Sequence, residues 1–243
     1  MNTENSQLKE IIQSSNNIVF FGGAGVSTES GIPDFRSADG LYSEKYAYPP
    51  ETILSHSFFH DFTDEFYRFY KEKMLYPDAR PNKAHIALAE LERQGKLKAV
   101  ITQNVDGLHT EAGSVNVLEL HGSALRNICI ECDECYPLEK IISSEGVPLC
   151  SCGGVIKPDV VLYEEGLDPN VMSRAIRAIH EADVLIVGGT SLNVYPAAGM
   201  INYYRGNKLV LINKSETSFD RYADLIIRDS IGPALSETVG CTK

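Results

Sequence analysis

Five short apolar runs set the tightest limit on how this chain can fold. They are Ile18-Val19-Phe20-Phe21, the segment Lys98 to Thr102 (KAVIT), Val117 to Leu120, Val184-Leu185-Ile186-Val187 and Leu209-Val210-Leu211-Ile212. Each has strand length, and each stops at a glycine or a polar residue. Continuous apolar runs of this kind are strands buried on both faces. Helix-like stretches separate most of them, and alternating strands and helices imply a parallel sheet covered on both sides. The expected elements are a leading helix over 4–14, the strand Ile18 to Gly22 and a short polar helix after the glycine turn that follows it. Further helices are expected at about 58–75 and 83–94, the second opened by Pro81-Asn82 and closed by Gly95. Val160-Val161-Leu162 returns to strand, followed by helix 169–181, strand 183–187, a helix from about Pro196, and strands 208–212 and 224–227. A long irregular stretch with Pro and Tyr runs from about 31 to 57, and loops of that length inside a domain are usually functional.

In such sheets ligands sit beyond the C-terminal ends of the strands, so the residues just after each run matter most. After the first come Gly22-Gly23-Ala24-Gly25 and then Val26-Ser27-Thr28-Glu29-Ser30-Gly31-Ile32-Pro33-Asp34-Phe35-Arg36-Ser37. A strand, a glycine turn and a helix N-terminus hold a diphosphate through converging backbone N–H groups. Counted from Gly23, however, the third glycine of a GxGxxG fingerprint is missing, because position 28 is Thr; taken alone, the turn also suits a strand-to-helix connection without a ligand. After KAVIT come Gln103-Asn104-Val105-Asp106. Their amide and carboxylate suit ribose hydroxyls or a carboxamide, and equally Asp106 could cap the next helix. His121-Gly122 ends the third run, a histidine able to accept a proton near neutral pH beside a glycine that lets another backbone or a ligand come close. Gly188-Gly189-Thr190-Ser191 and Asn213-Lys214-Ser215 end the last two. Five polar strand ends on one rim describe a nucleotide cleft.

Composition narrows the class. The 243 residues hold 33 acidic against 22 basic side chains, which argues against a nucleic-acid binder. No run is long enough to span a membrane, and the N-terminus lacks a signal-peptide pattern. Five of the six cysteines fall between Cys129 and Cys152, which reads as a metal cluster in a reducing compartment, so a cytoplasmic location is expected. Cys129-x2-Cys132 and Cys150-x-Cys152 stand 17 residues apart. Two thiolate pairs brought together by a hairpin make a closed, structural tetrahedral zinc site; Cys132-x2-Cys135 could replace the first pair. The fold class is therefore α/β, a Rossmann-like parallel sheet domain with a small inserted zinc-binding module.

Taken together, GAGVSTESGIPDFRS (23–37), TQNVDGLH (102–109), LHG (120–122), the cysteine pairs, GGTSLNVYPAA (188–198) and LINKSETSFD (211–220) resemble the sirtuin family of NAD-dependent protein deacylases. The resemblance covers about residues 10–235 and implies a single catalytic domain over 1–243. Its Rossmann-like part would span about 10–30, 80–122 and 158–235, its zinc module about 124–157, and its cofactor-binding loop and helical part about 31–79. It implies NAD as co-substrate and one structural zinc. Ala24, Gly25, Ser27, Thr28, Thr190, Ser191, Asn213 and Lys214 would line the adenosine and phosphate part of the NAD site. Phe35 and Arg36 would lie in the mobile loop, Gln103, Asn104, Val105 and Asp106 in the ribose and nicotinamide pocket. Asn104 and His121 would be catalytic, His121 as general base. The family spacing from His121 to Cys129 favours Cys129, Cys132, Cys150 and Cys152 as ligands and leaves Cys135 spare.

The implied activity is transfer of the acetyl group from acetyl-lysine in a protein partner to ADP-ribose, releasing nicotinamide and O-acetyl-ADP-ribose. A protein mono-ADP-ribosyltransferase is the alternative, and neither nucleic acid nor membrane is an expected partner. Two departures stand out. The family's Phe-Gly-Glu after the zinc module is Tyr163-Glu164-Glu165 here, and a carboxylate at Glu164 is expected to favour basic peptides. Relatives that remove acidic acyl groups carry Tyr-x-x-Arg, whereas this chain reads Tyr67-Arg68-Phe69-Tyr70. Poor desuccinylase activity is the expectation.

Overall fold

The structure, a computed structural model, describes residues 3–35, 40–41 and 46–240. Arg36, expected in the cofactor loop, lies outside the described residues. In chain order, α1 (Thr3–Ser14) leads into β1 (Ile18–Gly22) and two short 3-10 turns, Ala24–Val26 and Thr28–Ser30. Next come α2 (Pro50–Ile53), α3 (His56–Asp61), α4 (Thr63–Lys73), α5 (Lys83–Arg93), β2 (Leu97–Thr102), α6 (Leu108–Glu111) and β3 (Val117–Glu119). Then follow β4 (Gly122–Cys129), β5 (Cys135–Pro137), α7 (Leu138–Ser143) and β6 (Ile156–Val160). The chain finishes with α8 (Pro169–Glu181), β7 (Val184–Gly188), a 3-10 helix (Ala197–Tyr203), β8 (Lys208–Ile212), β9 (Leu225–Ile227) and α9 (Ile231–Val239).

The apolar runs become strands of one parallel sheet in the order β3-β2-β1-β7-β8-β9. Alternate residues of each strand feed opposite cores. Ile18, Phe20, Val184, Ile186, Val210 and Ile212 face the layer of α1, α5 and α9. Val19, Phe21, Leu185, Val187, Leu209 and Leu211 face α8 and the 3-10 helix at 197–203. Ile18 to Phe21 are fully buried, and each such side chain contributes about 1.5–3 kcal/mol of transfer free energy. The central strands end flush: Gly22 pairs with Thr102 and with Gly188, and Gly188 with Ile212. Strand order reverses between β1 and β7, and a crevice forms at such a switch point.

A second sheet, antiparallel and ordered β5-β4-β6, is inserted between β3 and β7. The strand expected over Val160-Val161-Leu162 ends at Val160 and belongs to this sheet, because β6 pairs with β4 and not with the parallel sheet. The helix expected over 58–75 is broken at Phe62, whose φ of −136° is not helical and whose ring packs on Phe58. The polar helix expected after β1 is two 3-10 turns, the second ended by Gly31 at φ 84°. The helix expected from about Pro196 is likewise 3-10 in form. Phe58, Phe59, Phe66, Tyr67 and Tyr70 share one core with Ile141, Ile156 and the buried Cys129 and Cys150. The inserted sheet and the helices α3 and α4 therefore pack as one body of side chains.

Candidate active site at the switch point

The loops after β1 and β7 touch backbone to backbone. Gly25 N–H donates to Gly189 O at 2.8 Å. A Cβ on Gly25 would stand 2.8 Å from Gly189 Cα, and one on Gly189, at φ 60°, would stand 2.5 Å from Val26 N. The backbones these glycines admit include each other's, which joins the two halves of the sheet where a ligand would lie.

Polar side chains then tie the strand ends together. Asn213 Nδ2 donates to Thr190 O at 3.1 Å, and Gln103 Nε2 donates to Thr190 Oγ1 at 3.0 Å. His121 Nδ1 lies 2.9 Å from Gln103 O. A carbonyl can only accept, so Nδ1 carries the proton and Nε2 is left bare as an acceptor. The ends of β8, β7, β2 and β3 thus form one hydrogen-bonded line. A second group lies beside it. Ser27 Oγ donates to Asp106 Oδ2 at 2.6 Å and accepts from Asn104 Nδ2 at 3.0 Å. Asp106 Oδ1 accepts Leu108 N–H at 3.0 Å, so Asp106 both caps the next turn and anchors Ser27. Burial pushes the His121 pKa below its ordinary value against the pull of the Gln103 carbonyl, and the imidazole is neutral at pH 7. Gly122, at φ 75°, has Asp159 O where a Cβ would be, 2.0 Å away; the expected close approach is by another backbone.

Other expected residues surround these. Ala24, Gly25, Phe35, Val105 and Ser191 are half-buried, while Thr28 and Lys214 are exposed. Thr28 Oγ1 donates to Gly25 O at 3.0 Å, and Phe35 and Val105 pack against the aromatic core. Sequence reading missed Asn82. It caps α5, and its Nδ2 donates to Val26 O at 2.8 Å and Ser30 Oγ at 3.0 Å, bracing the loop after β1. The helix start at Pro81-Asn82 was visible, but a bond across 52 positions to Ser30 leaves no local pattern.

The Sγ atoms of Cys129, Cys132, Cys150 and Cys152 lie within 4.8 Å of one another. Two of the S–S edges measure 3.5 and 3.6 Å, against about 3.8 Å in a zinc–thiolate tetrahedron. Gly154 N–H and Cys152 N–H donate to Cys152 and Cys150 sulfurs, which favours the thiolate form a metal needs. The donor set fits a structural zinc. Cys135 is exposed and its Sγ approaches Asp133 O instead, so the alternative pairing fails. In the Tyr67-Arg68-Phe69-Tyr70 segment both tyrosines are buried, and burial raises both phenol pKa values. Tyr67 OH donates to Ile156 O, while Arg68 turns to solvent and pairs with Glu65 at 3.2 Å.

The model of the Sir2 family matches residues 23–196. A curated "NAD-dependent protein deacetylase" of Clostridium perfringens is 63% identical over 98% of this chain and 100% of its own length. A solved complex of a Sir2 homolog with NAD superposes with a TM-score of 0.87 at 41% identity, covering 97% of this chain and 93% of that one. A Sir2 variant with a deacetylated p53 peptide and 3'-O-acetyl ADP ribose superposes with a TM-score of 0.88 at 38% identity, covering 97% of this chain and 98% of that one.

Proposed function

This chain belongs to the Sir2 family, and from that premise we propose how its cleft divides the work. It is an NAD-dependent protein-lysine deacetylase that passes the acetyl group to ADP-ribose. NAD, a co-substrate, supplies the glycosidic bond that is broken. The acetyl oxygen is a poor nucleophile and must be held against C1′ of the ribose while nicotinamide leaves; positioning and exclusion of water carry much of that step.

Ala24, Gly25, Ser27, Thr28, Thr190, Ser191, Asn213 and Lys214 hold the adenosine and phosphates. Gln103, Asn104, Val105 and Asp106 hold the ribose and nicotinamide end, with Asn104 fixed by Ser27. Phe35 shields the reacting carbon from water. His121 Nε2 takes the proton from a ribose hydroxyl, which then attacks the acyl carbon, by then joined through its oxygen to C1′; one water completes the transfer, freeing the lysine amine and leaving the acetyl group on ADP-ribose. The observation that carries this reading is the bond from His121 Nδ1 to Gln103 O, because it leaves the other nitrogen free to act as a base in a neutral ring. Cys129, Cys132, Cys150 and Cys152 hold the zinc, whose four sulfur ligands leave no open position, so its part is structural. A cytoplasmic location belongs to the same reading, since a thiolate cluster needs a reducing compartment. No helix among the described residues is long and apolar enough to cross a membrane.

The test is mass identification of products from NAD and an acetyl-lysine peptide. Wild type should yield the peptide with an unmodified lysine side chain, nicotinamide and O-acetyl-ADP-ribose, while His121→Ala should bind NAD and release no deacetylated peptide. Unchanged deacetylation in that variant refutes the role of His121. Transfer of ADP-ribose to unmodified protein, without deacetylation, would favour the transferase alternative.

A further inference from the structure

The turn after β6 carries a carboxylate that the proposed chemistry does not use. Glu164 has φ 75°, in the left-handed region, where a β-carbon is unfavourable and glycine is the common occupant. Its side chain explains the exception. Oε2 accepts Ser57 N–H at 2.9 Å, and Oε1 accepts the Ser57 hydroxyl at 3.0 Å. Ser57 lies in the first turn of α3, where backbone N–H groups lack helical partners and favour an anion.

The neighbours repeat the connection. Tyr163 N–H donates to Leu54 O at 3.0 Å, and Tyr163 O accepts His56 N–H at 2.9 Å. Glu165 pairs with His56 Nδ1 at 3.0 Å and Lys157 Nζ at 3.2 Å, and accepts Leu162 N–H at 2.9 Å. Burial alone would raise the Glu165 carboxyl; those partners together hold it below the usual carboxylate range. The turn 162–165 is therefore fastened to residues 54–57 by backbone and side chains alike. It also adjoins the proposed base, since Val161 N–H donates to His121 O at 3.0 Å.

We infer that Glu164 is a positioning residue for the acyl-lysine peptide: bonded to Ser57, it locks the 162–165 turn that adjoins His121, the proposed base that the acyl-lysine has to reach. The inference rests on the deacetylase reading above. It differs from the expectation that this carboxylate selects basic peptides: Ser57 is neutral and leaves the charge in place, so the two readings part on whether the effect follows the charge of the peptide.

The experiment has two arms. In the first, backbone amide exchange is compared between wild type and Glu164→Ala without turnover. Exchange at Tyr163 and Ser57 should accelerate in the variant; identical protection overturns the fastening whether or not the enzyme is active. In the second, KM and kcat are measured at saturating NAD on acetyl-lysine peptides with neutral, Lys-rich and Glu-rich flanks. Glu164→Ala should raise peptide KM about tenfold, the weight of one charge-assisted hydrogen bond. The factor should be the same on all three peptides, with kcat and the KM for NAD nearly unchanged. Glu164→Gln, which keeps an acceptor, should fall between. Ser57→Ala should raise KM too, and should add nothing to Glu164→Ala. Where Glu164→Ala folds poorly, Gln and the Ser57 variant carry the measurement. A KM change confined to the Lys-rich peptide would make Glu164 a charge selector and overturn the inference. So would an unchanged KM in a wild-type background that deacetylates. A wild type that releases no nicotinamide with any of the peptides refutes instead the deacetylase reading.

Discussion

Two histidines remote from solvent should make this protein acid-sensitive. His85 and His109 are buried with ring centroids 4.6 Å apart. His85 Nδ1 accepts Asn82 N–H in the cap of α5 and must stay unprotonated to do so. Neither ring nitrogen of His109 has a partner among the described residues. Burial lowers the His85 pKa to about 4, with Asp106 pulling it back up. Burial, and then the neighbouring charge of His85, lowers that of His109 to about 3. Both folded values lie below the unfolded value of 6.5. The unfolded chain therefore binds protons that the native state refuses. Stability is complete above the unfolded value and falls as the pH drops from there toward the folded values. At pH 5 each refused proton costs about 2 kcal/mol, and the pair about 4 kcal/mol. A chain of this length loses about 2–4 °C of Tm per kcal/mol, so the pair should lower Tm by about 8–16 °C between pH 7 and pH 5. Other groups titrate in that range, and the zinc thiolates can take up protons, so the decisive quantity is a difference. His109→Phe keeps an aromatic ring against Phe20 and His85 and removes one titration. Calorimetric scans with zinc content monitored should show its acid-induced drop smaller by about 4–8 °C. Parallel Tm–pH curves for the two proteins would refute the reasoning.

Other outcomes follow from the same geometry. Cys135→Ser should keep a full equivalent of zinc by metal analysis, whereas Cys152→Ser should lose it together with the thermal transition. Gly122→Ala must move Asp159 O, which lies 2.0 Å from the new β-carbon, at a backbone of φ 75°; denaturant unfolding should show a loss of about 2–4 kcal/mol. The pH profile of kcat/KM should have its acid limb below 6.5, since burial depresses His121, and a limb above that value would exclude a buried neutral base. A succinyl-lysine peptide should turn over at least about tenfold more slowly than its acetyl counterpart, because Tyr70 stacks on Phe66 inside the aromatic core and Arg68 lies outside it; faster removal of succinyl would overturn that assignment.

The parallel sheet was legible because each run from Ile18 to Phe21, Val184 to Val187 and Leu209 to Ile212 is buried on both faces, and continuous apolar strands are what such burial selects. Their register then follows from the strands themselves: with Gly22, Thr102, Gly188 and Ile212 level, the polar residues after them share one rim. Local helical form was less legible. Phe62 carries no breaker signal, yet its ring is held by Phe58 and Tyr48, and that tertiary contact overrides a helical pattern. The end of β6 was misplaced for a related reason, since Val160-Val161-Leu162 is apolar enough for either sheet and only pairing with β4 decides.

The site divides along the same line. Residue types announced themselves where the chemistry is local: His121 before Gly122, the amide and carboxylate after KAVIT, the thiols in pairs. What the sequence could not convey is how those groups are spent on one another. Asp106 was read as either a ligand group or a helix cap, and it is a cap that also grips Ser27. Gly25 and Gly189 each make room for the other's loop, a contact that no local pattern announces. Glu164 offers a charge that the sequence displays, but the bonds that hold its carboxylate come from Ser57, 107 positions earlier. In each case the residue type was legible and its long-range partner within the chain was not. Composition and spacing report what a side chain can donate or accept, while the long-range fold decides which donor reaches it first. A buried polar group left without such a partner is costly; Ser27, Asn104 and Asp106 meet that cost with one another, whereas His121 is held through Nδ1 alone.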